Sequence, residues 1–113
     1  MYVTYWQINL QHSRDAMACL AKQMSKMDGP VIVAAQEPYF SRSGKVMGLP
    51  RDVSVHSMVG KPRAALFTRG IHLWADHGRT NRDVESAVIA TDVGVLRIAS
   101  VCLVSICLRF RGR

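Results

Sequence analysis

The feature that most constrains the fold is a strand, a helix and a second strand at the start of the chain. Residues 2–10 are rich in β-branched and aromatic side chains that roughly alternate with polar ones, which predicts a strand. Ser13 is a candidate N-cap, and the apolar residues after it form one helical stripe: Met17, Leu20, Met24 and Met27. Asp28-Gly29-Pro30 ends the helix, and the apolar run 31–35 predicts a buried strand. This order is typical of two parallel strands joined by a crossover helix.

The remainder of the chain predicts a loop and then closely spaced strands. Residues 38–50 carry Pro, Ser, Arg and Gly with little periodicity, which indicates a loop. Four further strands are predicted at residues 64–68, 71–74, 84–91 and 95–103. Because no helix separates them, we expect antiparallel hairpins. The chain is therefore predicted to begin as α/β and to end as a meander.

Composition favours one small globular domain with an anionic partner. The chain has 113 residues, of which 49% are hydrophobic and 20% charged, so a disordered chain is not expected. The net charge of +7 makes nucleic acid the first candidate partner, although Arg109, Arg111 and Arg113 supply part of the excess.

The cysteines and the apolar segments also indicate the cellular compartment. Its three cysteines form no CxxC pair, so a reducing compartment, nucleus or cytoplasm, is expected. No signal peptide is visible, and the longest apolar segment, 98–108, is shorter than the ~20 residues that cross a bilayer. We expect no association with a membrane.

Polar residues close the first two predicted strands. Asn9 ends the first strand, and Gln36-Glu37 ends the second. Parallel neighbours place their carboxyl ends at one edge of a sheet, where open α/β sheets bind ligands. A carboxylate beside an amide suits Mg²⁺, which can polarise a phosphodiester and stabilise the leaving oxygen. The alternative is that Glu37 simply faces water and that Asn9 caps a turn.

Several segments resemble one family. Gln7-Ile-Asn-Leu-Gln-His-Ser-Arg14, a helix, and Val31-Ile-Val-Ala-Ala-Gln-Glu-Pro38 look like the start of the apurinic/apyrimidinic-endonuclease-like domain of non-LTR (LINE-type) retrotransposons. This domain belongs to the endonuclease/exonuclease/phosphatase superfamily, which shares the fold of deoxyribonuclease I. The similarity continues through Gly60-Lys-Pro-Arg-Ala-Ala-Leu66, Asn81-Arg-Asp-Val84 and Val95-Leu-Arg-Ile-Ala-Ser-Val101, and spans residues 4–103. The first two motifs are specific only in combination.

The resemblance implies a fold, a cofactor and site residues. The fold is the N-terminal half of a four-layer α/β/β/α sandwich, an α/β architecture with one mixed sheet and a covering helix. Glu37 is implied as a Mg²⁺ ligand, and Asn9 lies beside the scissile phosphate and the metal-bound shell. DNA is the implied partner, and Arg14, Arg42, Lys45 and Arg51 are candidate phosphate contacts. A solvated basic face is the alternative for these four residues.

Two departures from the family predict an incomplete site. The family's Ser-Val-Tyr reads Ser100-Val101-Cys102, and a thiol is the poorer donor. The residues after Cys102 contain neither the Asp-x-Asn nor the Asp-His motif of the family's C-terminal half. We therefore expect a partial endonuclease domain over residues 1–103, a divergent basic tail over 104–113 and little or no activity. The alternative is a basic nucleic-acid-binding remnant without catalysis.

No remaining side chain clearly replaces the missing ones. His12 lies near the predicted edge and could contact a phosphate, with a solvated loop role as the alternative, whereas three histidines match no catalytic position: His56, His72 and His77. Aspartates near predicted turns are expected to cap them: Asp76, Asp83 and Asp92.

The half-domain hypothesis also predicts self-association. A single sheet covered on one side leaves its inner face bare. The expected apolar patch consists of Val88, Leu96, Ile98 and Val101, and such patches commonly mark interfaces.

Overall fold

A computed structural model of the chain describes residues 3–57, 61–75, 83–91 and 94–101. These residues form one helix and seven strands. In chain order they are β1 (Thr4–Asn9), α1 (Arg14–Ser25), β2 (Val31–Gln36), β3 (Ser54–Ser57), β4 (Ala64–Arg69), β5 (Trp74–Ala75), β6 (Val84–Thr91) and β7 (Gly94–Val101). The predicted strand, helix and strand at the start of the chain are confirmed.

The strands form two sheets. The first has four strands in the order β1-β2-β4-β3, with β1 and β2 parallel and the other neighbours antiparallel. The second is an antiparallel sheet in the order β5-β6-β7. The architecture is therefore mixed α/β, as predicted. The expectation of one sheet is wrong, because among the described strands β5, β6 and β7 pair with one another instead of extending the first sheet.

Helix α1 covers one face of the first sheet. Ser13 caps it, and its hydroxyl oxygen accepts a hydrogen bond from the Ala16 backbone N–H at 3.1 Å. The buried stripe of Met17, Leu20 and Met24 packs on β2 and β4, and the shared core includes Val31, Val33, Ala65 and Phe67. No helix in the described ranges is long and apolar enough to cross a bilayer.

The second sheet covers the opposite face of the first. Ile32, Ala34 and Leu66 pack there against Leu73, Ala87 and Ile89. The layers therefore run helix, four-stranded sheet, three-stranded sheet. The expectation of a bare inner face is wrong, since the β6–β7 hairpin lies across β2 and β4.

The predicted apolar patch does not form as one surface. Leu96 is 54% exposed, whereas Val88 and Ile98 are half-buried. The pairing Ala87↔Ile98 puts Ile98 on the side of the first sheet, and alternation puts Val88 on the other side. The side chain of Val101 lies outside the described residues.

Candidate functional site

The carboxyl ends of β1 and β2 meet at one edge of the first sheet. Asn9, the last residue of β1, pairs in register with Gln36, the last residue of β2, and Glu37 follows directly. The structure thus brings Asn9 and Glu37 to the same edge, the placement that the parallel pair predicts. We refer to this region as the Asn9–Glu37 edge.

The Asn9 side chain is oriented by the loop that follows it. The Gln11 backbone N–H donates to Asn9 Oδ1 at 2.9 Å. Because only the oxygen of an amide accepts hydrogen bonds, this contact distinguishes Oδ1 from Nδ2. The exposed Nδ2 amide group keeps two donors, and Oδ1 keeps a second lone pair. Asn9 can therefore donate to an anionic oxygen or contribute an oxygen ligand to a cation.

Glu37 has a left-handed backbone, with φ at +50°. This conformation costs a non-glycine residue about 1–3 kcal/mol. Both backbone groups are held: the N–H donates to Arg63 O at 2.8 Å, and the carbonyl accepts from the His12 backbone N–H at 2.7 Å. Three segments of the chain therefore fix the backbone that carries the half-buried Glu37 side chain.

His12 joins the β1–α1 loop to the segment after Glu37. Its Nδ1 lies 3.0 Å from Pro38 O, and its ring meets the Phe40 ring edge to face at 5.3 Å. With its backbone bond to Glu37, His12 makes three contacts with residues 37–40. His12 is an exposed residue with a defined structural role, which its sequence context did not indicate.

Ser100 links the second sheet to the end of β2. Its hydroxyl, 0% exposed, donates to Ala35 O at 2.7 Å and accepts from Gln36 Nε2 at 3.0 Å. Its register partner on β6 is Glu85, which is 3% exposed. Sequence reasoning did not assign Gln36 or Ser100 to the site, although both lie in the segments that resemble the family. Cys102 lies outside the described residues.

An ion pair lies near the same edge. Arg63 Nη1 is 3.1 Å from Asp83 Oδ1, with side-chain exposures of 37% and 51%. Exposed pairs of this kind contribute about 0–1 kcal/mol. The pair nevertheless connects the residue before β4 with the residue before β6. Asp83 lies in a turn, as predicted, whereas Asp76, His77 and Asp92 lie outside the described residues.

The candidate DNA-contacting residues are exposed on segments that leave this edge. Arg14 is the first residue of α1. Arg42 and Lys45 lie in a short hairpin closed by the bridge Phe40↔Val46, inside the region predicted as a loop. The Ser41 N–H donates to Lys45 O at 2.8 Å, which fixes the turn. Arg51 is exposed in a second turn.

Two other histidines, His56 and His72, interact with each other. His56 is on β3 opposite Leu66, on the side of the second sheet, and is half-buried. Burial, and then the charge of His72, lower the pKa of His56 below its ordinary value. The His72 ring meets the Trp74 ring edge to face at 4.6 Å.

The donor set at the Asn9–Glu37 edge fits a hard cation. A carboxylate and an amide oxygen are ligands that Mg²⁺ prefers, and Mg²⁺ commonly uses one or two carboxylates together with waters. Within the described ranges, no group of three or more His, Cys, Asp or Glu residues is arranged to hold a metal ion. A cation held by Glu37 and Asn9 would keep several of its waters.

Comparisons with protein-family models, curated proteins and solved structures give no significant match to the chain.

Proposed function

We propose that this chain is part of a Mg²⁺-dependent DNA endonuclease domain of the non-LTR retrotransposon type, in the endonuclease/exonuclease/phosphatase superfamily. In this proposal the two packed sheets correspond to the inner layers of a deoxyribonuclease-I-like sandwich, and α1 belongs to an outer layer. The working compartment is the nucleus or the cytoplasm.

One observation supports the proposal: described residues from each of the five segments that resemble the family are linked by contacts that lead to the Asn9–Glu37 edge. Asn9 and Glu37 end neighbouring strands. Arg63 O accepts from the Glu37 N–H, Asp83 pairs with Arg63, and Ser100 bonds to Gln36. Segments separated by up to about 90 residues of sequence converge there, as motifs of one site are expected to do.

Each side chain has a proposed task. When bound, Mg²⁺ polarises the phosphodiester and stabilises the leaving oxygen. The Glu37 carboxylate would hold the ion, and the Asn9 side chain would either donate from Nδ2 to a phosphate oxygen or offer Oδ1 as a further oxygen ligand. Arg14, Arg42 and Lys45 contact the DNA backbone, which positions the duplex without reading its sequence.

The chain is proposed to bind DNA and Mg²⁺ more readily than it cleaves. The residues after Cys102 contain neither motif that would supply the activating histidine and its aspartate. General acid–base groups of this kind contribute roughly 10²–10⁴-fold to a rate. We therefore expect the 113 residues to nick a supercoiled plasmid slowly or not at all.

The test measures cation binding directly. Mn²⁺ serves as the probe, because loss of its free electron paramagnetic resonance signal reports binding, and Mg²⁺ is added as competitor. We expect Glu37→Gln to abolish Mg²⁺-competable binding. The matched control is Asp15→Asn, which removes an exposed carboxylate in the first turn of α1. Binding that survives Glu37→Gln unchanged contradicts the proposal.

The net charge of +7 and the exposed cations favour a second candidate, a nucleic-acid-binding remnant without a metal site. This candidate predicts DNA binding that weakens with added salt and that does not change with Mg²⁺ or with Glu37→Gln. It also predicts that removal of residues 109–113 weakens the binding.

A further inference from the structure

A buried hydroxyl–amide link crosses from one sheet to the other at the Asn9–Glu37 edge. Ser100 Oγ on β7 is 2.7 Å from Ala35 O and 3.0 Å from Gln36 Nε2, both on β2. Ser100 is 0% exposed and Gln36 is half-buried. A hydroxyl that both donates and accepts in a buried setting is held in one rotamer, so the link is rigid.

The hydrogen bond with Ser100 restrains Gln36, the residue just before Glu37 and its left-handed backbone. Gln36 is followed directly by Glu37 and pairs in register with Asn9. The Leu10 N–H donates to Gln36 O at 2.9 Å, which ties the same residue to the β1–α1 loop. A left-handed backbone at Glu37 persists only where its surroundings over-determine it. Through its hydrogen bond with Ser100, Gln36 connects the second sheet to the contacts that restrain the Glu37 backbone.

We propose that Gln36 and Ser100 are positioning residues that hold the end of β2 so that Asn9 and Glu37 keep a cation-binding arrangement. This inference rests on the proposed function, because it needs a cation site at Glu37. It assigns to the second sheet a role in the site, although neither Gln36 nor Ser100 contacts the ion. Supporting groups of this kind typically alter metal affinity by roughly 10–100-fold.

The test compares Mn²⁺ affinity of the full chain with variants at both ends of the link. Ser100→Ala removes the hydroxyl, and Gln36→Leu removes the amide while leaving the bond between Ser100 and Ala35. We expect each to weaken Glu37-dependent Mn²⁺ binding roughly tenfold or more. Because Ser100→Ala already removes the hydrogen bond with Gln36 as well as the one to Ala35, the double variant is expected to be little weaker than Ser100→Ala alone. Ser100→Thr keeps the hydroxyl and is expected to restore most of the affinity.

The control separates positioning from general stability. Ile89→Val removes one methyl group between the same two sheets and typically costs about 0.5–1.5 kcal/mol, close to the loss of a buried hydrogen bond. Ile89 pairs with Leu96, at the end of the hairpin opposite to Ser100. We expect this variant to unfold at lower urea concentration with unchanged Mn²⁺ affinity.

The outcomes distinguish the two claims. If Ser100→Ala and Gln36→Leu leave the Glu37-dependent Mn²⁺ binding unchanged, the positioning role is wrong. The proposed function is not affected by that result. If the unaltered chain shows no binding that depends on Glu37, both fail. Should Ser100→Ala prevent folding, as circular dichroism would reveal, Gln36→Leu decides alone, because its side chain is the less buried of the two.

Discussion

At the scale of single residues, the backbone of Glu37 is the most informative feature of the chain. Its φ of +50° suits asparagine or glycine better than glutamate. A side chain that carries a conformational cost at a sheet edge is expected where chemistry requires it. Glutamate is therefore unfavourable for the backbone conformation at this position, and substitutions of Glu37 can measure the free-energy cost.

Replacing Glu37 by asparagine should stabilise the fold and, under the proposed function, also remove cation binding. Asparagine tolerates the left-handed region, so we expect the free energy of unfolding in urea to rise by about 1 kcal/mol, the lower end of the cost of this backbone conformation. Glu37→Gln is the matched control, since it removes the charge but keeps the strained conformation and should give no such gain. Equal stabilities of the two variants would argue against backbone strain at this position.

His56 should make stability depend on pH. Its pKa is lowered in the folded chain by burial, and then by the charge of His72, from an ordinary value of 6.5. The unfolded chain therefore takes up this proton at higher pH than the folded chain. The contribution of His56 to stability is complete above pH 6.5 and declines as the pH falls below 6.5 through the lowered folded-state pKa.

The measurement is urea unfolding from pH 8 to pH 5, for which about 0.5-unit steps suffice to resolve a single titration. We expect His56→Gln to flatten the decline below pH 6.5, whereas His12→Gln, at an exposed position, should preserve it. A decline of the same size in both variants would assign it to other groups.

At the scale of elements, Arg69 connects the end of α1 to β4. Its guanidinium donates to the carbonyl oxygens of Met24 and Met27 and, at 3.4 Å, to that of Gly29. Carbonyl groups at the end of a helix lack partners within it, and a cation there also interacts favourably with the helix dipole. Arg69 therefore stabilises both the end of α1 and its position on the sheet.

We expect Arg69→Met to lower the free energy of unfolding by about 1.5–3 kcal/mol, the usual contribution of hydrogen bonds to a charged group. Arg42→Met, in the exposed hairpin, is the control and should change stability by less than about 0.5 kcal/mol. Chemical denaturation followed by circular dichroism at 222 nm measures both variants, and equal stabilities would contradict this role.

The elements that the sequence predicts well are those with local signals. β1, α1 and β2 follow from alternation, a helical stripe and Ser13, and their parallel arrangement places Asn9 and Glu37 at one edge. β3 was missed because Ser54–Ser57 is short, polar and partly exposed. The division into two sheets was also missed, since local pattern does not tell which strands β6 and β7 pack on.

The link from Gln36 to Ser100 shows the same limit within the candidate site. The two residues are 64 positions apart, and neither type signals a buried contact in its own segment. Periodicity predicts which face a residue occupies, but not which distant strand covers that face. The resemblance marked both segments without indicating that they touch.

At the scale of the whole molecule, self-association remains a prediction with a changed physical basis. The second sheet covers the inner face of the first, so the surface expected to be bare is buried. Among the described residues, the three most exposed large apolar side chains instead lie on β5 and β7: Trp74 at 54%, Val95 at 74% and Leu96 at 54%. In the described part of the fold, β7 ends its sheet, and edge strands readily pair with a second copy.

We expect sedimentation velocity to show a dimer that dissociates on dilution, since the net charge of +7 opposes association. Val95→Lys is expected to shift the chain to monomer, and Met47→Lys, at an exposed position outside the strands, is the control. A chain that stays monomeric at all concentrations would contradict self-association.

The hydrogen bonds of Ser100 to Ala35 and Gln36 join the hairpin of β6 and β7 to β2. Under the proposed positioning role, the edge that carries Glu37 therefore has its final form only in chains whose two sheets are packed together. A divalent ion that binds this edge would select chains whose two sheets have already come together, adding RT ln(1 + [ion]/Kd) to their stability. Protection from proteolysis by Mg²⁺ would then extend across both sheets at once, so the ion would report completed folding.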